Sequence, residues 1–160
     1  MNKIDYSEFL PGEETDLYNF IKSVFDEFVG YDYSEEGVKI FYDFILPKDI
    51  LSRFNNGNYV FLAKDKDKIV GMIEVRDNNH ICLLFVSKIY HKQGIAKMLF
   101  KLVLKKCLKA NPELLDFTVN ASPYSVNAYE RLGFISTGEL KETNGIKYIP
   151  MILNYPPDLS

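Results

Sequence analysis

The chain has 160 residues, 47% of them apolar and 26% charged, with a formal net charge of −3. That is enough chain for one domain around one sizeable hydrophobic core, and it excludes bulk disorder. The acidic balance argues against nucleic-acid binding, which needs a concentrated basic surface, and no apolar run approaches a membrane span, so neither partner is expected.

Ile4–Leu10 reads as a strand, closed by Pro11 and Gly12. Glu13–Val29 carries Leu17, Phe20, Ile21, Val24, Phe25 and Phe28 at three- and four-residue steps, the spacing of a helix with one apolar face. Gly30 is its expected stop. Ser34 ahead of Glu35 and Glu36 resembles a capping start for a second helix, Glu35–Ile45, with Val38, Phe41, Tyr42 and Ile45 inward. Pro47 is expected to end that helix or to lie just past it, and Asp49–Asn58 to be a short turn of helix and a loop.

From Tyr59 the pattern is that of strands. Tyr59–Ala63 and Ile69–Val75 flank the charged turn Lys64–Lys68 as an antiparallel hairpin. After the turn Asp77–Asn79, the nearly continuous apolar run His80–Val86 is expected in the middle of the sheet. Gly94–Lys109 reads as a long helix with lysines on its outer face, and Leu114–Val119 as the strand that follows by a right-handed parallel crossover. Ser125–Leu132 is a short helix stopped by Gly133, and Phe134–Leu140 with Ile146–Leu153 is a closing hairpin. The expectation is a single mixed α/β domain over residues 1–160, helical over 1–58 and sheet-centred over 59–153. Met1–Phe9 lacks the apolar segment of a signal peptide, so a cytoplasmic protein is expected. Cys82 and Cys107 read as buried free thiols, with a disulfide still open, and the scattered histidines and cysteines predict no metal site.

Chemistry concentrates where strand His80–Val86 leads into His91, Lys92, Gln93, Gly94, Ile95, Ala96 and Lys97. Gly94 permits close backbone approach and Ala96 keeps the surface clear, while a helix start offers unpaired N–H groups to an anion. Lys92, Lys97 and His91 can add charge at the rim. On its own this stretch is equally a turn glycine and a small helix residue. The segment Leu84-Phe85-Val86 through Tyr90-His91-Lys92-Gln93-Gly94-Ile95-Ala96 resembles the acyl-CoA signature of the GNAT superfamily of N-acetyltransferases: Arg or Gln, two residues, Gly, one residue, Gly or Ala. Histidine takes the first position here. Asn127-Ala128-Tyr129-Glu130-Arg131-Leu132-Gly133-Phe134 resembles that family's tyrosine-then-Gly-Phe ending, and the likeness spans about Tyr59–Leu153.

The resemblance implies a mostly antiparallel mixed sheet with a central V-shaped splay, flanked by helices, and acetyl-CoA as acyl donor to a primary amine of a small molecule or peptide. Residues 1–58 become the acceptor-side lid and 59–153 the acyl-CoA core. The pantetheine arm is expected to pair with backbone at Leu84, Phe85 and Val86, helped by a bulge near Phe85. Tyr129 takes the place of the family's general acid, or is a core ring of the short helix. Asn120, Ser122, Ser125 and Asn127 lie by the same cleft as cofactor contacts, although Asn120 equally suits a turn cap. Glu74 and then His80 are the candidates for a base, each with an ordinary structural role as alternative. Phe28, Tyr31 and Tyr33 are expected on the acceptor wall. Asp26, Glu27, Asp32, Glu35 and Glu36 form either an attractor for a cationic amine or an ordinary acidic helix surface. The alternative to an enzyme is a non-catalytic acyl-CoA-binding or sensor module, and a homodimer through terminal elements is compatible with the family.

Overall fold

The computed structural model describes residues 3–154. Strand β1 (Ile4–Glu8) runs antiparallel to β2 (Tyr59–Asp65), which pairs with β3 (Lys68–Arg76), and β3 with β4 (His80–Val86). Beyond β4 lie β5 (Asp116–Ala121), β8 (Ile146–Asn154) and the two-residue β6 (Ile135–Ser136), with β7 (Lys141–Thr143) beside β8. The eight-stranded sheet runs β1-β2-β3-β4-β5-β8-β6. The strand expected at Ile4–Leu10 is thus the edge strand β1, ahead of the helices.

The decisive feature is at the centre. β4 and β5 are parallel but pair only at His80–Thr118 and Ile81–Val119, so past Ile81 the outer edge of β4 has no strand beside it. A second irregularity coincides with this. Glu74 faces Leu83 while Val75 faces Ile81, which leaves Cys82 as the extra residue of a bulge. Cys82 and Leu83 consequently turn to the same face, where both pack with Met72, while Ile81, Leu84 and Val86 pack on the other. The bulge lies at Cys82, not near Phe85 as the sequence suggested.

Each face of the sheet has its own core. On one, α4 (Ile95–Ala110) sets Ile95, Leu99, Phe100 and Val103 against Ala63, Val70 and Ile73, with Tyr129 and Phe134 at the margin. On the other, α1 (Glu14–Val24), α2 (Glu35–Phe44) and α3 (Pro47–Asn55) bury Leu17, Ile21, Phe41, Ile45 and Ile50 against Leu62 and Met72.

Three local expectations change. The first helix is α-helical only to Val24 and continues as a π-helical turn, Phe25–Val29, and a 3-10 turn, Gly30–Asp32. Pro47 opens α3 at its first turn, where a missing N–H costs nothing, so the short turn of helix expected within Asp49–Asn58 starts earlier and extends to Asn55. The expected strand Phe134–Leu140 breaks after Ser136, and Lys141–Thr143 resumes pairing with β8. Ser34 does cap α2, its Oγ accepting from Gly37 N at 3.1 Å.

Candidate active site

The gap between β4 and β5 holds a cleft of about 420 Å³. Its walls include Leu84, Phe85 and Val86 of β4, His91, Lys92 and Ala96 of the loop and first turn of α4, and Asn120, Ser122, Ser125, Asn127 and Tyr129 from β5 and the segment after it. Gln93, Gly94, Ile95 and Lys97 do not line it. Gly94 caps α4 with φ +77°, a left-handed backbone that glycine accepts without strain, and a Cβ there would meet nothing within 4 Å. Ile95 is buried in the core, so only its backbone is available to a ligand. The loop is drawn back to the strand: His91 Nε2 donates to Val86 O at 2.8 Å, which places a proton on that nitrogen. Ser125 Oγ donates to Ser122 O at 3.0 Å and lies 2.7 Å from Ser122 Oγ, so the Ser122 hydroxyl proton points to Ser125.

Tyr129 belongs to the six-residue helix α5 (Val126–Arg131) and is 5% exposed. After Gly133 the chain folds back, Phe134 N donating to Tyr129 O at 3.0 Å and the Phe134 ring meeting the Tyr129 ring edge-on at 5.6 Å. The Gly-Phe ending is thus the buttress of the tyrosine. Burial, and then the neighbouring Cys82 thiol, push the phenol well above its ordinary value near 10, so it keeps its proton.

A second cavity of about 450 Å³ opens on the other side of the splay. It shares Tyr33, Phe41, Cys82, Leu83 and Asn120 with the first, so the two meet at the bulge. Its far end carries Arg76 and His80, and its roof is the β7–β8 hairpin through Thr143, Asn144 and Ile146. That roof is anchored on α2, because Ser34 N donates to Gly145 O at 3.0 Å. His80 Nδ1 lies 2.8 Å from Thr118 Oγ1, and its Nε2 has no hydrogen-bond partner among the described residues. Burial and then the Arg76 charge hold the imidazole below its ordinary value, with Asp77 opposing, so it is neutral at pH 7.

Several expected site residues take other places. Glu74 lines neither cavity. It is 1% exposed, and its carboxylate accepts from Arg53 Nε at 2.7 Å, Arg53 Nη2 at 3.2 Å and Asn58 Nδ2 at 2.7 Å. Three hydrogen bonds tie it to Arg53 and Asn58, so in this structure it holds those two groups and faces neither cavity. Tyr31 is 83% exposed and lines neither cavity. The π-helical turn carries Phe28 over the first cleft, not the second, where it stacks on Tyr124 at 5.0 Å beside His91. Tyr33 does reach the wall shared by both cavities. None of Asp26, Glu27, Asp32, Glu35 and Glu36 lines either cavity, and Asp26 is held by Lys22 and Tyr42.

Residues not singled out from the sequence complete the walls, chiefly Tyr124, Arg131 and Cys82. Nothing in the run His80–Val86 announces that Cys82 is the bulged residue, since a bulge is a property of two paired strands. Both cysteines are free, but Cys82 is only half-buried. Burial first, and for Cys82 the Glu74 charge second, raise both thiols to about 12. Among the described residues no group of His, Cys, Asp or Glu could hold a metal ion, and no helix is long and apolar enough to cross a membrane.

Comparison with known proteins follows the same lines. A family model described as an acetyltransferase (GNAT) domain matches residues 29–155. A GCN5-related N-acetyltransferase from Rhodopseudomonas palustris superposes with a TM-score of 0.79 at 20% identity, over 96% of this chain and 97% of that one. PaiA N-acetyltransferase from Thermoplasma acidophilum, in complex with coenzyme A, gives 0.75 at 18%, over 96% and 99%. An aminoglycoside 6'-N-acetyltransferase complexed with coenzyme A gives 0.67 at 16%, over 94% and 96%. Likeness at such identity speaks for the fold. No curated protein sequence matches the chain.

Proposed function

Since this chain belongs to the GNAT acetyltransferase family, whose fold serves acyl-CoA-dependent acyl transfer, we propose that it moves an acetyl group from acetyl-CoA directly to a primary amine of a small molecule or protein. The observation that carries the reading is the protonated, buried Tyr129 phenol on a cleft floored by an unpaired strand edge.

The residues present fit a coenzyme A thioester. The free edge of β4 from Cys82 onward offers backbone groups to the amide-bearing pantetheine arm, as an added strand would use them. Asn120, Ser122, Ser125 and Asn127 face that edge with side-chain donors and acceptors. The first turn of the sixteen-residue α4 supplies N–H groups and the positive end of the helix field to the diphosphate, with Gly94 leaving the approach open and Lys92 at the rim. Acetyl-CoA supplies the activated thioester.

The acceptor then reaches the bulge through the second cavity. His80, neutral at pH 7 with Nε2 uncommitted, takes the proton that the amine sheds as the new C–N bond forms, directly or through water. Tyr129 gives its proton to the sulfur as the C–S bond breaks. Burial sets the starting state of both groups, a protonated phenol and a neutral imidazole.

Tyr129→Phe is the test. Turnover, followed by free-thiol release with an amine panel, should fall by about 10²-fold or more, the usual share of a general acid, while the dissociation constant for CoA is unchanged. Turnover equal to wild type would remove Tyr129 from the reaction. Tight CoA binding without turnover on any amine would leave a binding module.

A further inference from the structure

The second cavity has a chemistry of its own, and it differs from the cationic preference that the acidic N-terminal segment suggested. No carboxylate stands on its walls or on those of the first cavity among the described residues. The sides are apolar and flat: Phe41, Phe44, Tyr33 and Tyr148. Among the described residues the one formal charge on its walls is positive, the Arg76 guanidinium, since burial keeps His80 neutral. A polyamine in this space would meet a cation whose nearest carboxylate, Asp77, is already paired with it.

Arg76 is also available. Its partner is Asp77, at 2.7 Å, with side chains 51% and 69% exposed, and an exposed pair of that kind contributes little and exchanges readily. The other nearby guanidinium, Arg53, is already bound to Glu74 and to Phe44 O. Arg76 stands two strand residues from Glu74, the residue opposite the bulge where the cavities meet, so the cation and the bulge are separate parts of one wall.

We propose that the second cavity selects a primary amine carried on a flat apolar or aromatic body whose other end bears a carboxylate that pairs with Arg76, and disfavours polycations. The inference rests on the transfer reading above for the position of the nitrogen. Planar carboxylate recognition by a guanidinium fork supplies the specificity, and the ring stack supplies the contact area.

Three probes test it on the full chain: 4-(aminomethyl)benzoate, benzylamine, which lacks the carboxylate, and spermidine. Binding is read by titration calorimetry with CoA present, and turnover by thiol release with acetyl-CoA. We expect 4-(aminomethyl)benzoate to exceed benzylamine about tenfold in affinity and in kcat/KM, the scale of one charge-assisted hydrogen bond, with spermidine below both. Arg76→Gln should bring that ratio near one by weakening the carboxylate-bearing probe, with CoA affinity kept, and Asp77→Asn should raise it. Equal values for the first two probes, a ratio unmoved by Arg76→Gln, no binding of any probe, or spermidine as the best substrate would each overturn the inference. In the spermidine case the transfer reading survives. Arg76-dependent binding without thiol release would instead support the pocket chemistry and refute transfer.

Discussion

Replacing Glu74 by glutamine separates structural work from catalytic work at this position. The carboxylate is 1% exposed and receives three hydrogen bonds, two from Arg53 and one from Asn58. Glutamine keeps one acceptor oxygen, aims an amide donor at a guanidinium, and leaves the Arg53 charge without its counter-ion. Removing one partner of a buried pair costs about 3–5 kcal/mol. The Arg53 side chain is 20% exposed and lies over the Phe44 ring, so water reaches it and the lower end, about 3 kcal/mol, applies. In a domain of this size that lowers Tm by about 6–12 °C. Urea unfolding and calorimetry measure it, with CoA affinity and turnover recorded on the same samples below the transition. The joint replacement Glu74→Leu with Arg53→Met should recover most of the loss, because it leaves no unpaired ion behind. A Glu74→Gln protein melting within about 2 °C of wild type, with turnover abolished, would refute the reasoning and restore Glu74 as the base.

His80 sets a pH signature. Its folded pKa lies below the ordinary value near 6.5, so the native state binds this proton more weakly than the unfolded chain does. Acidification from about 6.5 down to the folded value therefore favours unfolding, and stability rises with pH across that window. The acid limb of kcat/KM reports the folded enzyme, so it should fall as pH drops through the folded value, at the lower edge of that window, and vanish in His80→Gln, whose activity is lower throughout; an identical limb in the variant would exclude His80 as the base. Gly145→Ala tests the roof of the second cavity. Gly145 has φ +80°, and an added Cβ would overlap Ser34 Oγ, the cap of α2. The left-handed backbone costs about 1–2 kcal/mol and the displaced cap about 1 kcal/mol more, read as a shift in the urea midpoint; a shift within error would show that the hairpin tip is not held on α2.

Much of the fold was legible because it is local. Apolar runs separated by the polar turns at Lys64–Lys68 and Asp77–Asn79 mark β2, β3 and β4, and the three- and four-residue spacing from Ile95 marks α4. Where that reading went astray, two local rules competed. Pro47 can follow one helix or open another, and only the packing of Ile50 into the core decides for α3. The apolar and aromatic residues of the helical segment announced burial but not address, so Phe28 was expected by the acceptor and stands over the first cleft. A single extra residue per turn in the π-helical stretch is enough to move it.

The stretch from Gln93 to Ala96 and the run from Tyr129 to Phe134 were set by the sequence itself, since a left-handed glycine at a helix start and a glycine-reversed helix end are governed by the nearest few residues. Tertiary structure alone decided the rest of the site. The bulge at Cys82 exists because β4 must pair with β3 in one register and leave β5 after Ile81. Glu74 meets Arg53 and Asn58 because a helix, the loop after it and a strand bring them together around a buried carboxylate. Such choices depend on groups far apart in the chain competing for the same contacts, and no local pattern of residue types records who wins.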